Sequence, residues 1–282
     1  MTARRLAAGG EAGLALLLLG LAAVAWLVVD RRMSGMDGGP WTDLGAIGFY
    51  VPSWVAMTAA MMFPALVPMV VIRSRIDASM PDAPGGSLRS ALFVGGYLAA
   101  WTAYGLAAFG ALALVQRLWG GALDWGAGGR AAAAATLVAA ALYQVTPAKW
   151  RCLARCRAPF TFLMGGWRPG ARGALRMGLG HGAWCVACCW ALMAALFALG
   201  VMSVGWMLLV AGLIAVERLL PWGARSVSMA IALVLLTLGV GVAAAPGSVP
   251  GLTRPDGGLA CSGPPAASSM GMAGGSQGMC NS

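Results

Sequence analysis

Six long apolar stretches of this chain contain no Asp, Glu, Lys or Arg: 12–29, 44–72, 90–116, 131–148, 177–216 and 226–253. A helix needs about 20 apolar residues to cross roughly 30 Å of hydrocarbon. The fifth run is long enough for two crossings, with a natural break at "GVMSVG", residues 200–205. The pattern therefore predicts seven helices, at about 12–29, 45–72, 90–115, 131–147, 178–200, 204–220 and 226–245. Lipid offers backbone polar groups no partner, so each segment must satisfy its own. The expected fold class is all-α, a polytopic transmembrane helical bundle of about seven spans. The first run could be a signal peptide with "AVA" (23–25) as a cleavage site, but its apolar stretch exceeds the usual 7–15 residues, which favours a retained helix.

Composition supports this class: 60% of residues are hydrophobic and 10% charged, against about 25% charged in a soluble domain. The net charge of +10 invites a nucleic-acid reading, which the placement of the charges removes. With the N-terminus inside, fourteen of the 19 basic residues fall on cytoplasmic segments, among them Arg73, Arg89, Lys149 and Arg218, and five fall outside. That is the bias the positive-inside rule requires, with the lipid bilayer as partner and the C-terminus outside. The expected organisation is a cytoplasmic N-terminus (1–11), a bundle (12–245) and a disordered outer tail (246–282) rich in Gly, Ser, Pro and Met. Helix 2 carries Pro52, Pro64 and Pro68 and is expected to kink. Gly95, Gly96, Gly105 and Gly110 prepare helix 3 for close approach to a neighbour.

Candidate chemistry centres on "HGAWCVACCW", residues 181–190, which holds the only histidine and three of the seven cysteines. On a helix His181, Cys185 and Cys188 fall within about 60° of arc, and Cys189 lies about 40° beyond Cys185. His181 and Cys188 are roughly 10 Å apart along the axis, and metal–ligand bonds are about 2.0–2.3 Å. The stripe thus reads as two stations, His181/Cys185 near the inner boundary and Cys188/Cys189 near mid-membrane. Buried cysteines also serve as small hydrophobes, but histidine within a span is rare and points to function.

In the inner loop, Cys152 and Cys156 form an i,i+4 pair if helical. With His181 and Cys185 they resemble the two-pair spacing of a structural zinc site. The alternative is two reduced cytoplasmic thiols beside arginines that favour the thiolate. In helix 2, Met57 and Met61 share a face with Pro64 and Pro68 at a depth like that of Cys188, so the two faces either meet or the methionines simply pack. Outer segments add Met33, Met36, Cys261, Met270, Met272, Met279 and Cys280 as possible metal contacts. Thioether and thiolate donors select Cu(I), and the competing reading of the tail is a Cys261–Cys280 disulfide. Glu217 is a candidate proton or ion partner, or a partner for Arg218.

The blocks "MTAAMMFP", "YQVTPAKWRCLARCRAP", "WRPGARGALRMGLGHGAWCVACCWALM" and "GVMSVGWM" resemble a bacterial family of predicted metal-binding integral membrane proteins, a domain of unknown function. The resemblance covers about 45–222, leaves the tail outside, and implies a multi-spanning inner-membrane protein with a metal role. Three functions compete. Cu(I) binding, delivery or passage uses all the sulfur and imidazole donors and implies a metallochaperone or copper enzyme as partner. A membrane thiol–disulfide relay through Cys185, Cys188 and Cys189 is the enzymatic alternative and leaves His181 and the methionines unused. A structural zinc site explains one station alone. No nucleotide-binding loop of the G-x-x-x-x-G-K-[ST] type is present to drive transport with ATP.

Overall fold

The computed structural model describes residues 2–34, 40–41, 44–79, 86–118, 121, 124–220, 223–249 and 252. Its described residues form nine α-helices and no strand. They are α1 (Thr2–Met33), α2 (Ile47–Ala78), α3 (Gly86–Leu118), α4 (Arg130–Gln144), α5 (Pro147–Cys156), α6 (Pro159–Gly165), α7 (Gly170–Leu199), α8 (Val204–Leu219) and α9 (Ala224–Ala244). Each of the seven expected helices exists. Five of them, α1 from Gly10, α2, α3, α7 and α9 from Arg225, are long and apolar enough to cross a membrane, and a sixth if bent α4–α5 is one span. α4 has 15 residues and α8 has 16, about 22 and 24 Å at 1.5 Å per residue.

Two helices fall outside the seven, α5 and α6; α5 makes the start of the inner loop helical, the condition on which Cys152 and Cys156 form an i,i+4 pair. The local chemistry of α5 is legible: Thr146 caps it by accepting from the Lys149 amide (3.2 Å) and Pro147 occupies its first turn. Such a cap satisfies a donor that the first turn leaves orphaned, and proline there sacrifices no helical hydrogen bond. α5 leaves α4 at 68°. α2 runs without interruption through its three prolines.

α1 lies along α2, burying Leu18, Ala22, Ala25, Val29 and Met33 at helical spacing while Leu16, Leu17, Leu21, Val24 and Leu27 face outward. That outward face is what a lipid-exposed helix presents. At one end of the pair Arg75 bridges to Glu11 (2.5 Å). At the opposite end the Trp41 amide donates to the Phe197 carbonyl (3.1 Å).

The tightest seam joins α3 to α7. A methyl group at Gly178 would collide with the Phe93 carbonyl, one at Gly96 with the Leu175 carbonyl, and one at Gly182 would stand 2.7 Å from Ala100 Cβ. Glycine at these three places lets the two backbones touch, which is how apolar helices gain contact without a hydrophobic driving force. Gly105 admits the Trp54 ring of α2, whereas Gly95 and Gly110 face open space. Of the four helix-3 glycines, two serve close approach.

Several arginines assigned to inner segments are not solvated loop charges. Arg73 is fully buried, bridges Asp77 (2.7 Å), and lies over the Phe93 and Trp167 rings. Arg89 reaches the same carboxylate at 3.5 Å.

Candidate metal centre

The α3–α7 seam fixes the first part of the site. With α7 drawn against α3, the Tyr97 hydroxyl comes within 2.9 Å of Cys185 Sγ. His181, one turn earlier, lies between the Phe93 and Tyr97 rings (centroids 6.1 and 5.9 Å) and meets Phe162 of α6 edge-on at 5.3 Å. It is buried, and its Nδ1 has no hydrogen-bond partner.

The second part is a sulfur cluster. Cys185, Cys188 and Cys189 are all buried. One guanidinium nitrogen of Arg218, from α8, donates to all three sulfurs, at 3.0, 2.8 and 3.3 Å. Cys188 Sγ stands 3.4 Å from Cys189 Sγ and 3.8 Å from Cys156 Sγ of α5. All five described cysteines are free thiols. Thiolate is the form of cysteine that binds soft metals.

A third group holds the backbone around the cluster. Lys149 of α5 donates to Glu217 (2.8 Å) and to the Cys188 carbonyl (2.5 Å), and Ser228 of α9 donates to the other Glu217 oxygen at 2.7 Å. Both members of the ion pair are completely buried. The Tyr143 hydroxyl donates to the Ala187 carbonyl, so α4, α5 and α8 converge on the "ACCW" turn, and α9 is linked to it through Glu217. Arg157 donates to the Leu220 carbonyl, which fastens the end of α5 to that of α8.

The arrangement departs from the expected one in several ways. Cys185 joins Cys188 and Cys189 instead of pairing with His181, because Arg218 reaches across the turn that separates them. Cys156 turns to Cys188, so Cys152, Cys156, His181 and Cys185 do not assemble as a zinc site. Among the described residues no three His, Cys, Asp or Glu side chains enclose a ready-made ion position; the Arg218 nitrogen lies among the thiols instead. Glu217 pairs with Lys149, not Arg218.

Met57 and Met61 are buried in the apolar core. The described hydrogen-bond partners of the thiols come from α3, α5, α7 and α8, and none is a methionine. Met33 is likewise buried as the last member of the α1 stripe, because α1 continues past Arg31 and Arg32. Met36, Cys261, Met270, Met272, Met279 and Cys280 lie outside the described residues. Sequence reasoning missed Tyr97, Lys149 and Arg218. The available signal was charge beside apolar runs, in "TPAKWRC" and "LIAVERLLPW".

The sequence model of the PpoB2 family, described as copper chaperone, matches residues 51–242. The chain belongs to that copper chaperone family. The matched span includes the whole sulfur cluster with Arg218, Lys149, Glu217 and Tyr97. It leaves out Met33, Met36 and the Met- and Cys-bearing tail. A metal role was the expectation drawn from the quoted blocks, and the family description names copper. No curated protein and no solved structure matches the chain.

Proposed function

We propose that this chain is an inner-membrane Cu(I) chaperone whose cargo site is the Cys185/Cys188/Cys189 cluster, completed by Cys156 and served by His181. The observation that carries the reading is three α7 sulfurs within 2.8–3.3 Å of one Arg218 nitrogen. Copper is the substrate here, and a sulfur-only donor set suits Cu(I) above harder cations. In the metal-free state Arg218 occupies the centre of the cluster. On loading, Cu(I) replaces the guanidinium among the sulfurs, and Arg218 stays alongside. Two thiolates and Cu(I) carry one net negative charge, which would be costly inside an apolar bundle without a cation beside it.

In the membrane the chain has seven crossings, with α4 and α8 as short spans, the N-terminus inside and the 246–282 tail outside. On the outer side Met36, Cys261, Met270, Met272, Met279 and Cys280 supply weaker sulfur contacts. Graded sites admit and release an ion. The partner is a metallochaperone or a copper enzyme that exchanges cargo with the cluster.

The test is an anaerobic titration of the purified full-length protein with Cu(I) against a chromophoric chelator, repeated with Zn(II). Stoichiometric Cu(I) binding that is weakened on the order of 100-fold in Cys188→Ser is the expected result. Zinc retained in preference to copper and lost with Cys152→Ser would replace this reading with a structural zinc site. A Cys156–Cys188 disulfide trapped in cells, without retained metal, would replace it with a thiol relay.

A further inference from the structure

A cavity of about 630 Å³ lies between the end of α5, α6 and the first turns of α7. Its lining includes Arg155, Arg168, Arg176, Trp184, Phe162 and Gly180, and no Asp or Glu. The three arginines are exposed, and among the described residues none is bridged to a carboxylate. Arg155 lies over the Trp184 ring at 4.1 Å from its centroid, which fixes the guanidinium plane at the cavity wall. Three uncompensated guanidiniums around one concavity repel one another, and oxyanions that take their forked donors in pairs relieve that repulsion. The volume is that of a metabolite-sized ligand.

The cavity also borders the cargo site. Phe162 forms part of its wall and meets His181 on the other side. His181 leads through Tyr97 to Cys185.

We infer that this cavity binds a small ligand bearing at least two oxyanion groups. Resting on the copper reading above, its occupant is a low-molecular-weight thiol dicarboxylate that exchanges Cu(I) with the cluster. Exchange needs no electrons: a carrier thiolate leaves Cu(I) as a cysteine thiolate replaces it. The carboxylates sit on Arg155, Arg168 and Arg176, and the thiol is directed toward the Phe162 wall.

The experiment uses the full chain, copper-free, in neutral phosphatidylcholine nanodiscs, titrated calorimetrically with reduced glutathione and with S-methylglutathione. Both share the carboxylates, so both should bind saturably, and Arg168→Gln with Arg176→Gln should weaken each at least about tenfold. Arg155→Gln provides a second, smaller loss, and an unchanged melting temperature establishes that the variants fold. Cu(I) affinity by direct chelator competition should stay at the wild-type value in these variants.

A second arm replaces part of the neutral lipid with phosphatidylglycerol. Thermal stabilisation by that lipid which vanishes in the double variant, without glutathione binding, would keep the oxyanion site and overturn the thiol occupant. Absence of both effects overturns the site itself. Because binding is read without copper, its failure leaves the cluster assignment standing, and loss of Cu(I) binding by the cluster leaves the cavity assignment standing.

Discussion

Two helices of this bundle carry sulfur at helical spacing, and they use it differently. α2 buries Met57, Met61, Met62 and Met69 on more than one side of the helix, among apolar neighbours. α7 buries Cys185, Cys188 and Cys189 around a guanidinium, under a tyrosine hydroxyl and beside a buried ion pair. Placing charge inside an apolar bundle costs several kcal/mol per ion unless it is paired and hydrogen-bonded. α2 also holds a buried ion pair, Arg73 with Asp77, but no described hydrogen bond or ion pair of that pair reaches a sulfur; at α7 a guanidinium donates to the sulfurs themselves, so α7 bears the chemistry. The contrast teaches that a sulfur stripe becomes a candidate site where polar groups from other helices converge on it, and that spacing alone does not separate a site from packing.

The comparison breaks most severely at the ion pair. Glu217→Ala leaves Lys149 charged, buried and without its carboxylate, and should destabilise the protein by about 3–5 kcal/mol, read as a lower melting temperature in detergent. The double change Lys149→Met with Glu217→Leu should recover most of that loss, because removing both charges is far less costly than orphaning one. If the single variant melts like the wild type, the buried pair has no structural role.

Cys188→Ser should follow, with Cu(I) affinity reduced on the order of 100-fold, about 2.7 kcal/mol, measured by chelator competition with folding unchanged. Tyr97→Phe removes one hydrogen bond to Cys185 and should cost about tenfold in the same assay, the scale of an outer-shell contact to a metal ligand. Smallest of all is Met57→Leu with Met61→Leu. A volume-conserving apolar exchange should cost less than about 1.5 kcal/mol of stability and leave Cu(I) affinity of the α7 cluster within experimental error. A large loss of affinity there would erase the distinction between the two helices.

Much of the fold was legible because lipid imposes a simple rule. Uncharged runs of span length must be helices, and α1, α2, α3, α4, α7, α8 and α9 each arise from one. The site was legible in part. "HGAWCVACCW" is conspicuous because soft donors are rare in an apolar helix, and Cys156 drew notice through its spacing from Cys152. Axial rise set His181 with Cys185 and apart from Cys188, whereas Arg218 contacts Cys185 together with Cys188 and Cys189, and a single-helix calculation contains no residue from α8. Arg218 and Lys149 were read as topological charges because the positive-inside rule counts charges without asking which way they point. Met33 was read as an outer ligand because the expected helix stopped short of it.

By itself, the sequence determined that the chain is helical, with several helices long and apolar enough to cross a membrane, and that residues 181–190 are chemically unusual. Hydrophobic run length and residue type are local properties, and local properties survive in a one-dimensional string. Only the tertiary structure decided that Cys156 meets Cys188, that Arg218 sits among three thiols and that Lys149 finds Glu217. Those partners are 29 to 68 residues apart. What brings them together is the glycine seam between α3 and α7 and the bend from α4 into α5, and neither follows from the properties of any one segment.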